Sequence, residues 1–348
     1  DDIGFSCVIK YKIPSYLRQR FKIGGIFLLD EKIKAAADMY PFKITDSYRT
    51  RGGFVCVTDD GLKLLKAYPY GENHLIYEKS LKEAIREGGY KNVDALMLTS
   101  DHQLWADDGF GGHFVMRQWY GGRECDVRDK TQLLRAVSDM AALHRAAGHI
   151  HIDCEWLKKY KPKSAGRLFS RRSREMKTIM NYVQSKKIKN EFEVLYMNYY
   201  SIFYTQALRT GVLYEAKAAD EIFEQAVGDG SFIHGDYSYH NVLFNGKETA
   251  TVNFERSVPG TLMQDLYQMM RKVLEKHHWD LALGSAMLTA YEKERTISRR
   301  EKEYLYLLLS YPEKFWKIAN HYYNSRKSWM SGQNTEKLKK CIEDIDVK

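Results

Sequence analysis

The segment Phe232-Ile-His-Gly-Asp-Tyr-Ser-Tyr-His-Asn-Val-Leu-Phe244 constrains this chain more than any other. Two apolar runs enclose a polar loop in which an imidazole, a carboxylate and a carboxamide are spaced as His234-x-Asp236-x-x-x-x-Asn241. Short apolar runs bounded by such a loop read as buried strands. A loop of about five residues can set a base beside a reacting hydroxyl and an amide oxygen beside a metal ion. Asn253-Phe254-Glu255 follows at the end of the next apolar run, where a strand would carry a second metal ligand. Its first residue is an uncharged amide, and Mg²⁺ favours anionic oxygen. Metal affinity there should fall unless Glu255 supplies the missing carboxylate.

This β-type stretch, Phe232 to Phe254, interrupts an otherwise helical second half. Thr131–Ala146, Ser170–Ser185, Phe192–Arg209 and Ala216–Gly228 carry apolar residues at three-four spacing, and helices resume from Met263. The first half reads differently. Leu29–Tyr40 has helical spacing up to Pro41, and Phe42–Arg49, Phe54–Thr58 and Leu62–Tyr68 read as strands. Asp59-Asp60-Gly61 is a hairpin signal. Ile76–Glu87 reads as a helix, and Ala95–Thr99 and His113–Tyr120 as further strands. The expected organisation is an extension over residues 1–28, a strand-rich lobe over 29–120 and a helical lobe over 121–348, with a ligand cleft between lobes. The fold class is therefore α+β.

The His-Asp-Asn spacing matches the catalytic loop of the protein-kinase-like superfamily. There the Asp accepts a substrate hydroxyl proton and the Asn holds Mg²⁺. The His-Gly-Asp form is that of its small-molecule branch, the aminoglycoside and choline kinases. In that frame Lys66, ending the third strand, is placed to grip nucleotide phosphates, while Lys63 faces the opposite side. Glu78 and Glu83 lie on the next helix, and Glu78 is the expected partner of Lys66. Arg51, Gly52 and Gly53 would form the phosphate-covering turn, although no full G-x-G-x-x-G and no Walker A motif occurs. Arg117, Gln118 and Trp119 fall at the hinge expected beside adenine. Asp236 and Asn241 are the expected catalytic pair. Asn241, Asn253 and Glu255 are the expected metal ligands, and His234 and Asp265 the structural braces of the loop.

From about residue 29 to the end, the chain resembles the CotS family of bacterial spore coat proteins, within the aminoglycoside-phosphotransferase and choline-kinase-like fold. The residues that carry this are His234-Gly-Asp236-Tyr-x-Tyr-His240-Asn241, Val252-Asn253-Phe254-Glu255 and Asp265-Leu266-Tyr267-Gln268-x-Met-Arg271-Lys272-x-x-Glu275-Lys276. Trp119 with Gly121-Gly122-Arg123-Glu124-Cys125 adds to it. The resemblance implies a bilobal kinase-like fold, association with the endospore coat, and assembly from the mother-cell cytoplasm among other coat proteins. The function expected is phosphotransfer from ATP, with Mg²⁺, to a hydroxyl of a small molecule or saccharide. The alternative is a catalytically impaired scaffold of the coat.

Composition bounds the rest. With 44% apolar and 28% charged residues the chain is globular rather than disordered. Five scattered cysteines without a C-x-x-C argue against a disulfide framework or a cysteine-rich zinc site. No apolar stretch approaches the ~18 residues of a membrane helix. The net charge of +9 suits an anionic ligand or a solubilising surface. Its densest stretch, Lys158-Lys159-Tyr160-Lys161-Pro162-Lys163 with Arg167, Arg171, Arg172 and Arg174, accompanies no nucleic-acid motif. It reads as solvated surface or a docking face for an acidic coat partner or a polyanionic glycan. His144 reads as a satisfied buried or capping group and His240 as a hydrogen-bonded structural histidine. His277-His278 lacks a third metal ligand nearby. The acceptor contacts are expected from the helical stretch 150–215. The 25 tyrosines have no reading at this level.

Overall fold

The structure, a computed structural model, describes residues 31–109, 111–324 and 331–344. The extension expected over residues 1–28 lies outside them. The described chain divides into two units, one running up to Lys79 and taking in Asp94–Gly121, the other Ser80–Val93 and Gly122 onward.

The first unit opens with α1 (Glu31–Asp38), followed by β1 (Ile44–Thr50), β2 (Gly53–Thr58) and β3 (Gly61–Ala67). Helix α2 (Glu72–Glu87) comes next; its first eight residues belong here and the rest to the second unit. Strands β4 (Leu96–Met97), β5 (Ala106–Asp107) and β6 (His113–Gln118) complete the antiparallel sheet, ordered β1-β2-β3-β6-β4 with β5 beside β6. The Asp59-Asp60-Gly61 turn forms the expected hairpin, and Gly61 sits at φ +85°, a conformation open to glycine. One face of the sheet buries Cys56, Leu65 and Met116 against Ala36, Ala37 and Tyr40. The Tyr40 hydroxyl donates to Phe114 O and accepts from Met116 N–H, so its polar end is satisfied within the core.

The second unit begins at β7 (Arg123–Glu124) and α3 (Lys130–Ala147), whose N-terminus is capped by Asp129 accepting from Thr131 and Gln132. Then come α4 (Glu155–Lys159), α5 (Ala165–Ser185), α6 (Glu191–Ala216) and α7 (Ala219–Gly228). Strands β8 (Phe232–Ile233), β9 (Val242–Asn245), β10 (Glu248–Thr251) and β11 (Val258–Pro259) make two small sheets, β10-β9-β7 and β11-β8. Helices α8 (Met263–Leu274), α9 (Leu281–Glu292), α10 (Arg299–Ser310), α11 (Glu313–Asn324) and α12 (Ser331–Glu343) finish it. Phe315 is the centre of the outer helical core, stacked 4.1 Å from Phe203 and 4.9 Å from Tyr196.

Here the tyrosines acquire a reading. Tyr196, Tyr237 and Tyr311 are buried, and their hydroxyls donate to the carbonyls of Met176, Ala136 and Phe169. Each fills core volume while its buried hydroxyl finds an acceptor in a helix carbonyl, so the polar end is not left unpaired. Burial keeps them protonated and pushes the Tyr311 phenol up to about 12.

Candidate active site

The loop between β8 and β9 is built around the buried carboxylate of Asp265, near the start of α8. Its Oδ2 accepts from His234 N–H at 2.6 Å and its Oδ1 from Gly235 N–H at 3.0 Å. A carboxylate accepting backbone N–H groups at successive residues fixes the loop's exit from β8. His144 Nε2 donates to Asp265 Oδ2 at 3.2 Å, and its Nδ1 accepts from the Tyr291 hydroxyl at 2.7 Å. Burial pulls the His144 imidazole below its ordinary value and keeps it neutral. Burial alone would raise the Asp265 carboxyl, but the hydrogen bonds from His144 and from the His234 N–H outweigh it and hold it below the usual range. The expected braces His234 and Asp265 are thus in contact, and His144 is the satisfied buried group its sequence context suggested.

His234 has one consistent tautomer. Its Nε2–H donates to Val252 O at 3.0 Å, leaving Nδ1 to accept from Asp236 N–H at 3.2 Å. Gly235 between them is required: at φ +75°, a Cβ there would lie 2.0 Å from Arg256 O. The loop then delivers Asp236 to a half-buried position. Lys272 Nζ stands 3.1 Å from its Oδ1 and Arg256 Nη1 3.6 Å from its Oδ2. Neither cation was anticipated. The signal was present, since Asp265, Gln268 and Lys272 share one face of α8 at three- and four-residue steps. Gln268 donates to Gly235 O, so all three residues of the face touch the loop.

Asn241 Nδ2 donates to Asp236 O at 2.9 Å, and Asn253 Nδ2 donates to Asn241 Oδ1 at 2.9 Å. Asn253 adopts φ 69°, ψ 59°, a left-handed conformation that asparagine tolerates better than most residues. As they stand, these residues do not fit Mg²⁺ held in the usual way. The Asn241 oxygen is taken by an amide N–H, neither side chain is charged, and Glu255 is buried in the 3-10 turn Phe254–Arg256. Among the described residues no group of three or more His, Cys, Asp or Glu side chains could hold a metal ion. His240 bonds Glu124, and His277 donates to Val127 O.

In the first unit, Lys66 pairs across the sheet with Val115 and shares a face with Leu64 and Arg117. It is half-exposed, and its Cε lies 3.7 Å from where a Cβ of Gly52 would stand, so the lysine runs beneath the Thr50–Gly53 turn. Arg51 in that turn is exposed, and a Cβ on Gly53 would meet Leu65 O at 2.6 Å. Lys63 does face the other way. It is fully buried, donating to Asp60 O, Asp60 Oδ2 and Gln118 Oε1, with the Phe42 ring 5.0 Å from its ammonium. Glu78 is also fully buried, and Arg117 Nη1 lies 2.7 Å from its Oε1, a partner the sequence reading did not foresee. Arg117 reaches Asp94 Oδ2 at 3.2 Å as well, so its side chain is turned into the interior instead of presented at a surface. Gln118 Nε2 donates to Trp119 O, and Trp119 N–H to Leu62 O.

No family model matches the chain, and no curated protein matches it. Solved structures do. An aminoglycoside phosphotransferase from Alicyclobacillus acidocaldarius superposes with a TM-score of 0.79 at 17% identity, covering 93% of this chain and 94% of that one. The fold is that of the aminoglycoside phosphotransferases. A microcompartment-associated aminopropanol kinase superposes at 0.57 with 13% identity, covering 90% of this chain and 94% of that one. The amicoumacin kinase hAmiN, solved with AMP-PNP, Ca²⁺ and Ami, superposes at 0.56 with 14% identity and 96% coverage of both. The phosphotransferase fold expected from the sequence, with an antiparallel-sheet N-terminal part and a mainly helical C-terminal part, is the fold observed.

Proposed function

We propose that this protein is a phosphotransferase that moves the terminal phosphoryl group of ATP to a hydroxyl of a small molecule or saccharide. The observation that carries the reading is the positioning of Asp236. Its backbone N–H is fixed by His234, the loop is held by Asp265, and the carboxylate itself stays partly exposed. A base must be ordered and yet within reach of the hydroxyl it serves. Asp236 takes the hydroxyl proton, and Asn241 fixes the loop carbonyl behind it. Lys66, under the glycine turn, takes phosphate oxygens, with Arg51, Gly52 and Gly53 above it. The Gln118–Trp119 segment faces the adenine. Glu78 orders this face of the sheet through Arg117.

The resemblance carried by the Asp265–Lys276 stretch extends the proposal to the endospore coat, reached from the mother-cell cytoplasm, with coat proteins as partners. No helix among the described residues is long and apolar enough to cross a membrane.

A second reading is favoured by one observation, the amide pair Asn253–Asn241: a nucleotide-binding coat scaffold without turnover. ADP release from ATP across a panel of hydroxyl acceptors separates the two. Turnover that falls by about 10²–10⁴-fold in Asp236→Asn, with an unchanged melting midpoint, supports the phosphotransferase. Nucleotide binding without turnover on any acceptor supports the scaffold.

A further inference from the structure

The charge around Asp236 is unusual for a site meant to receive a cationic acceptor. Lys272 meets Oδ1 and Arg256 approaches Oδ2, so each carboxylate oxygen faces a cation. Both cations keep solvent-facing surface: the Lys272 side chain is 28% exposed and that of Arg256 67%. The carboxylates at the end of α8 and packed against it from α11 are already committed. Glu275 takes Arg271 at 2.6 Å, and Glu313 takes Arg172 at 2.9 Å and the Tyr267 hydroxyl at 2.6 Å. Two cations therefore contact the one carboxylate of the base.

An acceptor hydroxyl has to come within hydrogen-bond reach of Asp236, roughly 2.6–3.2 Å. Whatever is attached to that hydroxyl shares its space with Lys272 and Arg256. An ammonium group would be set against both, and like charges brought together at a partly desolvated site are penalised. An anionic group pairs with them instead. It also draws the Lys272 ammonium off Oδ1, freeing a carboxylate oxygen to receive the proton.

We propose that the acceptor is an anion, a hydroxyl compound bearing a carboxylate or phosphate, and that Lys272 and Arg256 select it. The inference rests on the phosphotransferase reading of Asp236. In the step it describes, the acceptor oxygen forms a bond to the γ-phosphorus of ATP. The bond from that phosphorus to the β-γ bridging oxygen breaks, its electron pair leaves on ADP, and the hydroxyl proton passes to Asp236. Lys272 and Arg256 are specificity-determining residues here.

The test is calorimetric titration of the full chain with glucuronate, glucose and glucosamine, together with ATP, for the native protein, Lys272→Gln, Lys272→Glu and Arg256→Gln. Glucuronate should bind at least about tenfold more tightly than glucosamine. That preference should shrink in Lys272→Gln and Arg256→Gln and invert in Lys272→Glu. Lys272→Gln removes the charge without reversing it, so it reports even where the charge reversal fails to fold. Equal or tighter binding of glucosamine overturns the inference, as does binding of none of the three. A loss of ATP affinity in the Lys272 variants with the sugar preference intact overturns it too, because the cations then serve the nucleotide. ADP release measured in parallel judges the transfer reading separately: Lys272-dependent preference for glucuronate without turnover keeps the anion site and removes the chemistry.

Discussion

Asn253 donates its side-chain N–H to the side-chain oxygen of Asn241, 2.9 Å away. The two residues expected to converge on a metal ion thereby satisfy each other. Replacing Asn253 by Asp removes the donor and places two acceptors face to face, an arrangement a divalent cation relieves. Asn253→Asp should make ATP affinity depend more steeply on Mg²⁺ than in the native protein. Titrations with and without the ion read this, and an unchanged ion dependence would show that position 253 does not face the phosphates.

Gly235 occupies a site that no side chain fits, with Arg256 O 2.0 Å from the place of a Cβ. Gly235→Ala must therefore shift the loop or the strand end beside it. A backbone forced from such a conformation costs about 1–3 kcal/mol. The expected result is a lower melting midpoint together with weakened activity, since the same residue precedes Asp236.

The Arg117 guanidinium lies between the buried carboxylates of Glu78 and Asp94. Arg117→Leu removes from the interior a cation that both carboxylates contact, and breaking such a pair costs about 3–5 kcal/mol. Denaturant unfolding should show a loss of that order. Glu78→Gln should be milder, because Arg117 keeps Asp94.

Stability should fall on acidification below pH 6.5, the ordinary value for histidine, in part through His144. Its imidazole is held neutral by burial beside Asp265, Tyr291, Arg295 and His234. Below that pH the unfolded chain binds a proton there that the folded chain does not, so acid favours unfolding. The depressed Asp265 carboxyl acts at lower pH: its contribution is present above 3.8 and is lost as pH falls through the folded value. His144→Gln should flatten the stability profile just below 6.5 and leave the more acidic limb in place.

Features set by short-range spacing were legible in the sequence. The hairpin at Asp59-Asp60-Gly61 and the opposite facing of Lys63 and Lys66 follow from local periodicity, and the loop brace at Asp265 follows from the resemblance to the kinase-like superfamily. Asn190 and Glu193 form a capping box at the start of α6, a spacing that could have set the start of that helix, expected at Phe192. What escaped were pairings across long separations. The meeting of Arg117 with Glu78 joins residues 39 positions apart, and no strand pattern names the partner of a buried carboxylate. Nor does strand parity reveal that Asp60, Gln118 and Phe42 close over Lys63. The strand expected over Ala95–Thr99 shortens to Leu96–Met97 because it lies at the sheet edge, with one neighbour to pair with.

Asp265, Gln268 and Lys272 are mounted on one stiff helix, so the loop's backbone and the ammonium beside its carboxylate cannot be adjusted independently. A half-turn slip of α8 would misplace all three at once. Selection for a different acceptor would accordingly have to act on the identity of residue 272, because repositioning the helix would dismantle the loop it serves.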